Sequence, residues 1–441
     1  MKAAAFIIAL LTALPLLGQG ADQRADSGAD QRADSGTDQR ADSGTDQRAD
    51  SGTDLRMLYI AQAGYQPRDI QARAEDYRRQ FGKEVKLTFA QYEEVYDLVQ
   101  ASSTKPSADF DVILADLIWM DDYVARGILE QVPDRLAAAI SEGILPEIYT
   151  PFRKNGRFWA FPFLANHQLF YVDMSLLNKA GFTRPPATLE EMVAMARAAK
   201  KAGLITYPIL ESWNKAEALI CDFTVLVGAF GGNLVDERGL PRVDSPACIQ
   251  ALRFMVSLLK EGLVNPYSLQ SDEVFAGDAF LMGDVLFETN WTFVTGRMNE
   301  DLYGKGAKLA AALIPVAQAV RSRALTSTVS GYQGLAVTRN SRTKAEAWRF
   351  VEFLASPDFQ RQHLTEMSVW AQVWNEKRTR QIDPNIDLKM AQLAGVHDRI
   401  GHPRYRMISL ILQDSVYNAL RGAAAPEAAL HSAQKKIKAL E

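Results

Sequence analysis

Seven tryptophans, several standing beside planar polar side chains, carry most of the chemistry this chain can offer. Flat aromatic faces accept the C–H surface of a sugar, while Asp, Asn, Gln and Arg supply fixed donors and acceptors for its hydroxyls. Trp291 lies in ETNWTF, Trp213 and Asn214 follow the apolar run YPILES and open a helix, and Trp119 stands three residues beyond Asp116. Trp348 shares one helical face with Phe350, Val351 and Leu354 and reads as core. The histidines at 167, 363, 397, 402 and 431 show no HExxH spacing, and no GxSxG elbow, phosphate loop or CxxC pair occurs. His397 and His402 are five apart, on different helix faces. Carboxylates are numerous enough for two to meet as a glycosidase pair, yet no spacing selects them. These residues suit recognition of a solute more than its conversion. They imply no catalytic group, metal or cofactor.

The elements that must position them follow from periodicity. Leu55 to Ala61 is an apolar run with strand character, Ile70 to Phe81 is helical, and Glu84 to Phe89 alternates. Glu93 to Ala101 is helical again, and Asp111 to Ala115 is a nearly continuous apolar strand. This rhythm predicts parallel strands joined by crossover helices, an α/β lobe. Ligands of such sheets sit beyond the carboxyl ends of the strands. That topology points to Gln62 to Tyr65, to Gln91 and Tyr92, and to Asp116. Further on, Gly156 to Tyr171 reads as extended chain interrupted by Pro162, and helices are expected over Leu189 to Ala202, Lys215 to Phe230, Ser245 to Glu261 and Ala276 to Gly283. Strands return at Leu309 to Pro315 and Gly334 to Thr338, then a helix over Thr343 to Ala355 stopped by Ser-Pro, then mostly helix to Glu441. A chain that starts one lobe, builds a second and resumes sheet-like segments suggests interleaved domains.

The amino-terminal residues are of another kind. Met1 to Gly20 runs from Lys2 through an apolar stretch to small residues, the layout of a secretory signal cleaved before Ala21. No cysteine lies near that point, so a lipid anchor is not expected, while an uncleaved anchor stays open. From Ala21 to Gly52 an eight-residue unit occurs four times, ADQRADSG twice and TDQRADSG twice, with no large apolar residue. Such a segment cannot offset the entropy of ordering its backbone, so residues 21–54 read as a disordered linker, either a stalk or a repeat without function. Each unit carries two Asp and one Arg, so four units account for the formal net charge of -4, and the body is close to neutral. No basic footprint for nucleic acid exists. Cys221 and Cys248, the only cysteines, are as compatible with free thiols as with a pair.

Four landmarks, in order, resemble the extracellular solute-binding proteins of ABC importers, the maltose-binding-like family. They are ADFDVILADLIWMDDYVARGILEQV (Ala108 to Val132), NGRFWAFPFLANHQLFYVDMSLLNKAGFTRPPATLEEM (Asn155 to Met192), FGGNLVDERGLPRVDSPACIQALRFMVSLLKEGLVNP (Phe230 to Pro266) with FAGDAFLMGDVLFETNWTF, and SGYQGLAVTRNSRTKAEAWRFVEFLASPDFQ (Ser330 to Gln360). The resemblance implies a two-lobed α/β periplasmic-binding-protein fold of type II, closing on ligand by a hinge. It implies a first lobe of residues 55–164 plus 315–356 and a second of 165–314 plus 357–441. It also implies ligand contacts. Trp291 falls where the family carries a Trp, with Asn290 in place of the usual Pro; Asp116 matches the family's cleft Asp, whose other reading is a helix N-cap. Asn166 and His167 fall at the first crossing, and Gly331, Tyr332 and Gln333 match a Gly-rich cleft loop. Trp370 and Trp374 stand where the family usually has a Leu-Pro loop, so they either add a stacking surface or fill the lobe interface. The implied partners are a small molecule, a sugar by its aromatic contacts, and the permease and ATPase of an importer, with the protein periplasmic or extracellular and meeting the membrane only through the permease or an uncleaved signal. A carbohydrate-active enzyme and a sensory or adhesive binder with the same cleft remain alternatives.

Overall fold

The computed structural model describes residues 54–61, 64–298, 308–364 and 366–440. The expected signal, the octapeptide repeats and Gln62 lie outside them. Counting strands of four residues or more, the body begins with β1 (Leu55–Ile60), β2 (Val85–Ala90) and β3 (Val112–Asp116), all parallel. The helix Pro67–Phe81 joins the first two; Pro67 stands in its first turn and Gly82 ends it at φ 68, a conformation that glycine adopts without strain. All five residues of β3 are buried, which is why its sequence reads as a continuous apolar run.

The next strands are β4 (Phe161–Leu164) and β5 (Gln168–Asp173), followed by β6 (Phe287–Trp291), β7 (Leu309–Ala312) and β8 (Gln333–Val337). The first sheet has the order β2-β1-β3-β8-β4, with β8 antiparallel to both neighbours. Pro162 does not interrupt the extended chain as expected. It sits within β4, an edge strand, where its missing N–H costs no ladder bond, and the break comes at 165–167 instead. The second sheet, β6-β5-β7, is antiparallel. Ile209 extends it by parallel bridges to Phe287 and Val264. Helices Leu189–Lys201, Glu217–Ala229, Pro246–Lys260, Tyr405–Leu420 and Pro426–Lys438 surround this second lobe, and Ser245 caps the third of them by accepting from Cys248 N. Cys221 and Cys248 are both buried and free.

The hinge is built from strands lying side by side. Gly331 N donates to Asn166 O at 2.8 Å, Ser330 N to His397 O at 3.1 Å, and Thr328–Val329 pairs in parallel with Val396–His397. Two handovers differ from the boundaries the resemblance implied. Residues 315–327 remain with the second lobe: Val316 bridges Thr188, Ala317 N donates to Ala229 O, and Gln392 holds Ile314 and Thr326. Residues 357–374 remain with the first: Phe359 meets Tyr65 and Phe163, Gln360 Nε2 donates to Phe163 O, and Trp370 packs on Phe161. Pro357 starts a new helix without moving the chain to the other lobe. Among the described residues no helix is long and apolar enough to cross a membrane.

Candidate functional site

Asp116 ends β3 and its carboxylate does two things. Oδ1 accepts Ile118 N at 3.1 Å, capping the short turn Leu117–Trp119, and the two oxygens also hold one partner each from further along the chain. Oδ2 accepts the Tyr92 hydroxyl at 2.9 Å, and Oδ1 accepts Arg399 Nη2 at 3.0 Å. Tyr92 opens the helix Tyr92–Ser103, and its ring lies 5.2 Å from that of Trp119. Arg399 reaches on through Nη1 to Glu217 Oε1 at 3.0 Å. Glu217 is the first residue of the helix Glu217–Ala229, where a carboxylate also complements the helix dipole, and it accepts from the hydroxyls of Tyr405 and Ser409. One guanidinium, 2% exposed, thus joins a carboxylate of the first lobe to one of the second. Burial works against the charge on Arg399, but Asp116 and Glu217 outweigh it and its pKa is raised. Burial likewise pushes up the phenols of Tyr92, with Asp116 adding to it, and of Tyr405, with Glu217 adding to it.

A second group gathers beside the hinge. Trp291 ends β6, and its indole N–H points at Glu273 Oε1, 3.4 Å away. Glu273 opens the helix Glu273–Leu281 and is raised in pKa by burial. The Trp291 ring covers Gly331 so closely that a Cβ there would come within 2.6 Å of it. Thr292 Oγ1 donates to Asn166 Oδ1 at 2.6 Å, tying the end of β6 to the first crossing. The close approach foreseen for Gly331 is therefore made by an aromatic ring of this chain. Tyr332 O accepts Leu117 N, while its buried hydroxyl has no hydrogen-bond partner among the described residues. Gln333 pairs in register with Asp116, and its Oε1 is buried without a hydrogen-bond partner among the described residues, as are Asn214 Oδ1 and Arg399 Nε.

Other residues singled out from sequence go elsewhere. Trp213, 2% exposed, lines a small cavity of about 30 Å³ with Glu211, Asp222 and Thr289, among residues of the second lobe. Its Nε1 lies near Asp222 but outside hydrogen-bond geometry. Asp222 accepts from Gln168 Nε2 at 2.8 Å, Glu211 from Thr289 N at 3.1 Å, and Glu288 from Asn290. Burial raises the pKa of all three carboxyls. Gln91 is exposed and forms a capping box with Glu94. Tyr65 is packed among Phe163, Phe359 and His363, and Trp370 donates Nε1 to Ala355 O, both within the first lobe and away from the seam. Trp374 is likewise buried and donates to Ser368 O. His167 is fully buried, and desolvation pushes its pKa down to about 4. Arg399, Glu217, Tyr405 and Ser409 were missed: no periodicity or motif marks them. No group of residues suited to a metal ion occurs among the described residues.

The model of the bacterial extracellular solute-binding proteins matches residues 63–361. An inferred ABC transporter-binding protein of Deinococcus radiodurans is 23% identical over 359 residues, 77% of this chain and 82% of the relative. An inferred binding protein of Brucella abortus is 23% identical over 266 residues, 59% of this chain and 62% of that protein. Among solved structures, maltose-bound MalE3 of T. maritima superposes with a TM-score of 0.80 at 24% identity, covering 88% of this chain and all of that one. A solute-binding protein of Thermotoga lettingae bound with α-D-tagatose gives 0.77 at 20% identity, covering 88% of this chain and 99% of its own. One from Agrobacterium radiobacter in complex with ribitol gives 0.77 at 21%, with the same coverage.

Proposed function

Since this chain belongs to the bacterial extracellular solute-binding proteins, we propose that it is the receptor of an ABC importer that captures a mono- or oligosaccharide between its lobes and passes it to the permease. One observation carries the reading: Arg399 joins Asp116 of one lobe to Glu217 of the other, so a single buried polar seam is completed only when both lobes contribute. Around it stand the aromatic faces of Tyr92, Trp119 and Trp291, and the unpartnered Asn214 Oδ1, Gln333 Oε1 and Arg399 Nε, which suit the hydroxyls of a sugar. That structural relatives hold maltose, tagatose and ribitol supports the same class. The protein holds its solute without converting it, and it works outside the cytoplasmic membrane after export on the amino-terminal signal.

A thermal-shift screen of mono- and disaccharides tests this, because a ligand that binds only the folded protein raises its melting temperature. Titration calorimetry of the best sugar against Trp291→Ala then tests the stacking role. The expected loss is at least about tenfold, or 1.4 kcal/mol; an unchanged affinity removes Trp291 from the site. Recovery of the sugar unaltered after prolonged incubation separates a receptor from a glycosidase.

A further inference from the structure

We propose that the seam selects its solute by charge, admitting neutral or amine-bearing molecules and refusing anions, because its one guanidinium is already committed to two carboxylates. The inference rests on the reading that the solute binds at this seam. Arg399 spends both Nη2 hydrogens, on Asp116 and on Ser330 O at 3.4 Å, and one Nη1 hydrogen on Glu217, and Nε is its one nitrogen without a hydrogen-bond partner among the described residues. Both forks of a guanidinium use Nη2, so the N–H groups left on Nε and Nη1 can serve hydroxyls but cannot make the paired contact by which arginine anchors a carboxylate or phosphate. Glu273, beside Trp291, adds a third carboxyl and makes no ion pair among the described residues. An arriving anion therefore meets carboxylates in excess of cations in a buried place, where like charges are screened little. An ammonium group meets the reverse.

The test is a calorimetric panel on the full chain, with glucose, glucuronate and glucosamine as a charge series on one ring, the matching disaccharides, and neutral, anionic and cationic solutes that are not sugars. The tightest binder is expected to be neutral or cationic, and glucuronate to bind at least about tenfold more weakly than glucose. A tightest binder that is an anion overturns the charge rule. A tightest binder that is neutral or cationic but no sugar leaves the rule standing and overturns the sugar reading. Glu217→Gln frees part of Arg399, and the glucuronate-to-glucose affinity ratio should rise by about tenfold with the fold verified by circular dichroism. Glu273→Gln, on another helix of the same lobe, gives the same direction should the first variant fold poorly. Ratios unchanged in both variants refute the role of these carboxylates.

Discussion

Arg399 shows how much a single side chain can hold in place. Removing it leaves Asp116 and Glu217 facing each other with their compensating charge gone, Asp116 at 3% exposure. Breaking a buried pair from one side typically costs about 3–5 kcal/mol. Arg399→Met should lower the denaturation midpoint accordingly in urea titrations, and adding Glu217→Gln should recover part of the loss, since one stranded charge is then neutral. Gly331→Ala is expected to cost about 1–3 kcal/mol, because its new methyl group runs into the Trp291 ring; thermal melts read it directly, and solute affinity should fall with it. At this scale the sequence is half readable. Asp116 is singled out by its place at the end of an apolar strand, and its carboxylate meets Arg399. Arg399 is not, because an arginine in HDRIGHP reads as loop, and its partner Glu217 reads as a helix-dipole residue. Tyr65 and Trp370 mislead for the opposite reason: an aromatic at a loop looks the same in sequence whether it faces solute or the underside of a neighbouring helix.

The elements show the same contrast between local and distant signals. The helix expected over Ser245 to Glu261 is found at Pro246–Lys260, because cap, proline and apolar face agree locally. The handovers near 315 and 357 are not legible locally, because which lobe a segment packs on depends on partners far away in sequence, such as Phe163 for Gln360, 197 residues apart. The segment after the helix that Pro357 starts also sets a pH response. Burial pushes Glu366 up to about 7, with Lys389 pulling it back in part. An unfolded Glu titrates near 4.3, so between that value and about 7 the folded chain binds more protons. Its contribution is fully present below the unfolded value and is lost as pH rises through the folded one, by up to roughly 4 kcal/mol. His167 acts in the other direction: held neutral down to about 4, it costs stability as pH falls from its ordinary value near 6.5. The two windows overlap and their slopes oppose, so Glu366→Gln should leave denaturation midpoints falling more steeply as pH drops from about 6.5 to 4, while His167→Gln should leave them falling more steeply as pH rises from about 4.3 to 7.

Across the whole molecule, the lobes also touch at their rims, where Arg406 of Tyr405–Leu420 pairs with Asp97 of Tyr92–Ser103 and lies 4.8 Å from the Tyr96 ring. Both charges are about half exposed, and such pairs contribute roughly 0.2–1 kcal/mol. Asp97→Asn should change solute affinity by less than about fivefold, with the difference vanishing in high salt; a larger, salt-insensitive loss would make this rim part of the binding machinery.

The position of β8 has a consequence for how the protein is made. It is the fourth strand of a five-stranded sheet, lying between β3 and β4, yet it is the last of them to leave the ribosome. Until Gln333–Val337 has been synthesised, β3 and β4 each present an unpaired edge, and the first lobe has no continuous sheet. A nascent chain of this design stays unfinished through most of its translation, a state that a holding chaperone can recognise and a translocation channel can thread. Chains stopped just before Gln333 should aggregate or be degraded, whereas supplying the missing strand as a separate peptide should restore some of their solubility.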